Sequence, residues 1–228
     1  MIKIRKSQER GKADHGWLKS FHSFSFADYR DRNHTHFQSL RVINEDYVGP
    51  NTGFNPHPHK DMEIITYVLS GQLAHEDSMG NTRVINAGEF QVMTAGSGVT
   101  HSEFNPSDTE PVHLLQIWIM PNQTGLKPAY AELIPEIKDG LTLVASLTGP
   151  LKINQDAKLF LGKLTSETNK TLEIDRDRHL WLQMIDGELI INGEKLASGD
   201  AAALSEESTA NIRAETASHF LLFDLASY

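Results

Sequence analysis

The segment Phe54 to Glu63 (FNPHPHKDME) sets His57 and His59 two residues apart, and side chains at i and i+2 of a β-strand project from one face. Two imidazoles so placed can converge on one metal ion. His101 and Glu103, in Thr100 to Asn105 (THSEFN), repeat that parity and add a third nitrogen and a carboxylate oxygen. Four ligands from two strand segments would then meet inside one barrel. Mixed imidazole and carboxylate donors suit iron, manganese, cobalt, nickel, copper or zinc, and the absence of cysteine removes thiolate sites, disulfides and thiol nucleophiles. The expectation is one divalent transition metal per chain, iron foremost, with nickel, copper, manganese, cobalt or zinc also admitted. A five- or six-coordinate ion with four protein ligands keeps one or two positions for water, substrate or dioxygen, which permits catalysis. His34 and His36 form another His-x-His pair, but with no second ligand segment in register they read as a solvated loop.

The elements that must position these residues read as strands. Apolar runs are short and mostly alternating, as in Phe21 to Phe26 (FHSFSF), Ile64 to Leu69 (IITYVL) and Leu114 to Met120 (LLQIWIM), with glycine and Asn-Gly punctuation between them. The clearest helical candidate is Pro128 to Ile137, which Pro135 would end early. An internal repeat organises the rest. Val68 to Leu73 (VLSGQL) has a counterpart in Met184 to Leu189 (MIDGEL), Asn86 to Phe90 in Ala197 to Ala201, and His113 to Ile117 in His219 to Phe223. Three matches in the same order predict a duplicated β-unit. The division expected is a metal-binding domain over 1–122, a connector over 123–150 and a degenerate second domain over 151–228.

With 39% apolar and 22% charged residues, the 228-residue chain can bury a core and is not extensively disordered. A formal charge of −9 without a basic stripe disfavours direct nucleic-acid binding. Charges run throughout Met1 to Lys12, and no window approaches 18 uninterrupted apolar residues, so neither secretion nor membrane insertion is expected and the location expected is cytoplasmic.

His57-Pro58-His59-Lys60-Asp61-Met62-Glu63, followed by Thr66-Tyr67-Val68-Leu69 and Gly71, resembles the first cupin motif in the form found in pirins. Gly88, Gly98, His101 and Asn105 resemble the second motif, and Gly16-Trp17 with His22-Ser23-Phe24-Ser25-Phe26 are also similar to pirins. The likeness covers most of residues 1–122 and thins after about residue 130 to the pattern of a second cupin barrel. It implies an all-β bicupin. Two departures from the general second motif, Gly96 where proline is usual and a longer spacing from Gly88, are of a kind pirins share. In many cupins the metal carboxylate comes from the first motif, here Glu63; in pirins it comes from the second, here Glu103, which strand parity with His101 also favours. Resemblance to bacterial pirin-like proteins implies quercetin 2,3-dioxygenase activity, in which the flavonol binds the metal through its 3-oxygen, dioxygen adds across the ring and carbon monoxide leaves. Glu103 would be metal ligand or base for the 3-hydroxyl, and Phe54 and Phe104 are candidate walls for the aromatic substrate. Pirins are also described as nuclear regulators whose metal alters a protein-binding surface, so a protein partner is an alternative, as is another small-molecule cupin reaction.

In the second half, the offsets that His57 and His59 keep from Gly71, 14 and 12 residues, land on Glu173 and Asp175, and the offset of His101 from Gly88 lands on Ile212. No imidazole falls at a ligand position. His179 and His219 read as ordinary strand histidines.

Overall fold

The computed structural model describes all 228 residues, and it contains no α-helix, only one 3-10 turn at Ser7–Glu9. No helix is therefore long and apolar enough to cross a membrane. The strands are β1 (Ile2–Arg5), β2 (Gly11–Asp14), β3 (Leu18–His22), β4 (Leu40–Val48), β5 (Gly53–His59), β6 (Glu63–Ser70), β7 (Gln72–Asp77), β8 (Thr82–Asn86), β9 (Phe90–Thr94), β10 (Val99–Phe104), β11 (Val112–Ile119) and β12 (Ala129–Leu133). They continue as β13 (Gly140–Ser146), β14 (Leu151–Lys152), β15 (Ala157–Leu164), β16 (Asn169–Glu173), β17 (Arg178–Asp186), β18 (Glu188–Ile191), β19 (Glu194–Ala197), β20 (Ala201–Leu204), β21 (Thr209–Ala214) and β22 (Ser218–Ala226).

Each half pairs a seven-stranded with a four-stranded sheet. In the first half the orders are β12-β9-β6-β11-β4-β3-β2 and β5-β10-β7-β8; in the second they are β1-β20-β17-β22-β15-β13-β14 and β16-β21-β18-β19. The repeat seen in the sequence is the repeat of the fold: β6–β7, β8–β9 and β11 occupy the places of β17–β18, β19–β20 and β22. Gly71 and Gly187 make the equivalent turns at φ +76° and +85°, and a β-carbon on Gly187 would stand 2.3 Å from the carbonyl oxygen of Ala217. Only glycine meets both demands.

Sheet membership cuts across the expected division in three places. The first strand, β1, pairs with β20 of the second half; β12, inside the expected connector, pairs with β9 of the first; and β13, also inside it, joins the second. The helix expected over Pro128 to Ile137 does not form. Pro128 and Pro135 leave six residues between them, too few to nucleate a helix, while the open edge of β9 offers partners for every residue from Ala129 to Leu133.

The two large sheets pack face to face. One apolar cluster joins Ile65, Tyr67, Leu115 and Ile117 of the first half to Leu159, Leu161, Leu221 and Phe223 of the second. Alternation then sends the neighbouring residues of each strand into the barrel interiors, and there the halves differ. The second interior is a single cluster of 15 buried apolar residues that includes Leu189, Ile191, Ala210, Ile212 and Phe220. The first interior holds two smaller clusters, of seven around Leu73 and Val112 and of four around Ile64 and Met93, and a buried polar layer lies in the same interior. That layer is the candidate site.

Candidate metal centre

β5 is the edge of its sheet and pairs only with β10, which is why it tolerates Pro56 and Pro58: neither can donate to a ladder. The prolines face outward and the alternate residues His57 and His59 are half-buried. Across the ladder His57 pairs with His101, and a bulge follows, so that Glu103 comes opposite Phe54. The three imidazoles converge as the spacing predicts. Their ring centroids lie 4.8 Å (His57–His59), 4.5 Å (His57–His101) and 4.9 Å (His59–His101) apart, and their ligand nitrogens fall within 4.8 Å of one another.

Hydrogen bonds select the nitrogens. The Asn55 carbonyl can only accept, so the 2.8 Å contact from His57 Nδ1 requires the proton on Nδ1 and leaves Nε2 as a lone pair. His101 Nδ1 lies 3.4 Å from His75 Nδ1, while its Nε2 is buried with no partner. Burial first, then the neighbouring imidazoles, push His59 down to about 4 and His101 to about 3, so both are neutral at pH 7, the form that coordinates metal. An orphaned buried nitrogen among neutral imidazoles fits a transition metal.

Glu103 stands differently from the three histidines. Its carboxylate accepts from Gln116 Nε2 at 3.1 and 3.0 Å and from the Thr66 hydroxyl at 3.4 Å, and it groups with His75 and His101 in a second, fully buried set that shares His101 with the first. Glu63 is on the opposite face of its strand. It has the parity of Ile65 and Tyr67, points toward the interface between the halves and is hydrogen-bonded by Thr94 at 2.8 Å and Asn154 at 3.1 Å. His34 lies in the β3–β4 loop against Asp31 at 2.7 Å, away from the cluster.

A cavity of about 470 Å³ opens beside the cluster, lined by His57, His59, Glu103 and Gln116 and walled by Trp17, Phe26, Phe54 and Trp118. Phe54 packs edge-on against Trp17 at 5.1 Å and Trp118 edge-on against His59 at 5.0 Å. Phe104, the other aromatic wall expected, is 43% exposed and takes no part. Asp46 also lines the cavity; burial, and then the charges of Glu103 and Glu45, raise its carboxyl to about 7 despite a hydrogen bond from Ser20. His75, Thr66, Asp46, Gln116 and Trp118 were not expected from spacing. For Thr66, Gln116 and Trp118 the signal is a polar or half-polar residue inside an apolar strand, as Thr66 is in IITYVL; His75 and Asp46 lie in mixed strands and carry no such signal.

Residues 3–119 match the Pirin family and residues 143–225 match the family described as the Quercetinase C-terminal cupin domain. The chain belongs to the pirin family. A relative in Escherichia coli (strain K12) named quercetin 2,3-dioxygenase is 47% identical to this pirin, over 99% of each chain. A pirin-like protein of Caulobacter vibrioides is 38% identical over 99% of this chain and all of its own. Among solved structures, that of the bacterial pirin YhhW from Escherichia coli in complex with nickel(II) superposes with a TM-score of 0.97 at 46% identity, covering both chains completely. In the second barrel of this pirin the strand corresponding to β10 presents Ala210, Ile212 and Ala214 inward, all buried among apolar neighbours.

Proposed function

We propose that this pirin is a metal-dependent dioxygenase that cleaves flavonols of the quercetin type, with one transition metal held by His57, His59, His101 and Glu103. The observation that carries the reading is the convergence of three imidazoles on one point beside a cavity walled by four aromatic rings. The 47% identical relative named for this reaction, and the nickel(II) held by a pirin of the same fold, support it. Nitrogen and oxygen donors of this kind suit iron or nickel.

Bound there, the metal would supply a Lewis-acidic, redox-active centre where a flavonol oxygen and dioxygen can be brought together. The protein's part is positioning and proton handling. Trp17, Phe26, Phe54 and Trp118 offer flat apolar surfaces to a fused-ring substrate and exclude water from it. The Trp118 Nε1–H is buried without an acceptor and can donate to a substrate oxygen. Glu103 would take the proton of the 3-hydroxyl on a carboxylate oxygen, and its bonds from Gln116 and Thr66 fix where that oxygen stands. Asp46, raised to about 7, can carry a proton near neutral pH in the same cavity.

Aerobic incubation of the metal-loaded protein with quercetin tests this. Loss of the flavonol absorption with release of carbon monoxide, abolished by a chelator, is the expected result; a fully metallated protein that leaves flavonols unchanged would refute the dioxygenase reading.

A further inference from the structure

His101 is the one cluster imidazole that belongs to both sets, and its second nitrogen is not free. His101 Nδ1 meets His75 Nδ1 at 3.4 Å, and His75 Nε2 meets Asp77 Oδ2 at 3.4 Å. Both His75 and Asp77 have fully buried side chains. Asp77 is itself anchored in the β7–β8 turn, accepting from the backbone N–H groups of Met79 (2.9 Å) and Asn81 (3.1 Å) and from Asn81 Nδ2 (2.8 Å). Gln91 Nε2 approaches His75 Nδ1 at 3.3 Å.

The Asp77 end of this chain of contacts sets the arrangement of protons at neutral pH. An ionised carboxylate only accepts, so Asp77 requires the proton of His75 on Nε2, which makes His75 Nδ1 an acceptor. That nitrogen has a single lone pair, which the Gln91 amide at 3.3 Å shares with the His101 ring at 3.4 Å. His101 must then carry its proton on Nδ1 and present Nε2 as a lone pair, and Nε2 is the buried atom with no partner in the protein. We infer that Asp77 and His75 form a relay that fixes the tautomer and ring orientation of His101 and strengthens it as a donor, making His75 a positioning residue for the metal centre. The inference rests on the metal reading above. It gives the polar layer of the first barrel a purpose that the second, apolar barrel lacks.

The test is affinity for cobalt(II), measured by chelator competition, together with the visible spectrum of the cobalt form. His75→Leu removes the acceptor and should weaken binding by about 10- to 100-fold, the usual penalty for losing the partner of a ligand histidine, and shift the cobalt bands. His75→Asn places an amide oxygen near the site of Nδ1 and should recover most of the affinity, whereas His75→Gln carries its amide beyond that site and should not. The Asn and Gln variants decide the matter if the Leu variant fails to fold. Parent affinity in His75→Leu, or equal losses in the Asn and Gln variants, would overturn the relay while metal binding that still depends on His57 leaves the centre standing. Cobalt retained by His57→Ala but lost from every His75 variant would make His75 itself a ligand, overturning relay and centre together, as would a parent that binds no cobalt.

Discussion

Asp46→Asn probes the electrostatics of the polar layer through stability. Asp46 is 4% exposed and its folded-state carboxyl titrates at about 7, against 3.8 for the free group, because burial and the Glu103 and Glu45 charges oppose ionisation. Between those values the native chain keeps a proton that the unfolded chain has released. Stability therefore falls as pH rises through the window from about 4 to about 7 and then levels. At about 1.36 kcal/mol per pKa unit, ionisation costs the metal-free parent roughly 2 kcal/mol at pH 5 and roughly 4 kcal/mol at pH 8. Asparagine has nearly the same shape, can still accept from Ser20 and does not titrate. Thermal melts in chelator should show the variant's advantage widening between pH 5 and pH 8 by about 2 to 3 kcal/mol, or roughly 5–10 °C in Tm for a chain of this size. A difference that does not change with pH, or a variant less stable than the parent at pH 8, would refute the argument.

Glu103→Gln should lower flavonol turnover by a factor on the order of 10² or more, as the loss of a positioned proton acceptor does; Glu63→Gln, on the face between the halves, should do far less, and steady-state rates compare them. His101→Ala should remove most bound metal by elemental analysis and yet keep the β-sheet circular dichroism, because the apolar clusters do not include it. Gly53→Ala would put a β-carbon 2.1 Å from the Glu103 carbonyl oxygen and 2.6 Å from the Phe104 α-carbon, forcing β5 away from β10. It should lower stability by about 1–3 kcal/mol and weaken metal binding with it, as melts and chelator competition would show. Fluorescence anisotropy should detect no binding to duplex DNA at physiological salt, given a charge of −9.

The histidine cluster was legible because strand parity is a two-residue rule that survives without knowledge of tertiary structure: His57 and His59 needed only a strand, and His101 only a neighbour. The repeat was legible for a similar reason, since Gly71 and Gly187 mark turns that no other residue makes comfortably. Other features depend on which strand lies beside which. Nothing local tells that β1 crosses to the second barrel, or that Ala129 to Leu133 finds the edge of β9 instead of coiling. His75 reaches His101 from a strand 26 residues earlier, through a pairing of β7 with β10 that spacing does not announce. Thr66, Gln91 and Gln116 each sit in an apolar run, and they form one layer only because β6 lies between β9 and β11, which sets Thr66 beside both glutamines. Phe104 went the other way. It follows Glu103 and therefore faces outward, a consequence of the same parity that places Glu103 inside.

The most direct measurement loads the metal-free protein stepwise with iron(II) or nickel(II) and records carbon monoxide released from quercetin in air against metal bound per chain. Release should rise in proportion to occupancy, stop rising at one equivalent, and be absent from His57→Ala and His101→Ala. Carbon monoxide released without metal, continued gain toward a second equivalent, or full occupancy with no release would contradict a single dioxygenase centre in the first barrel.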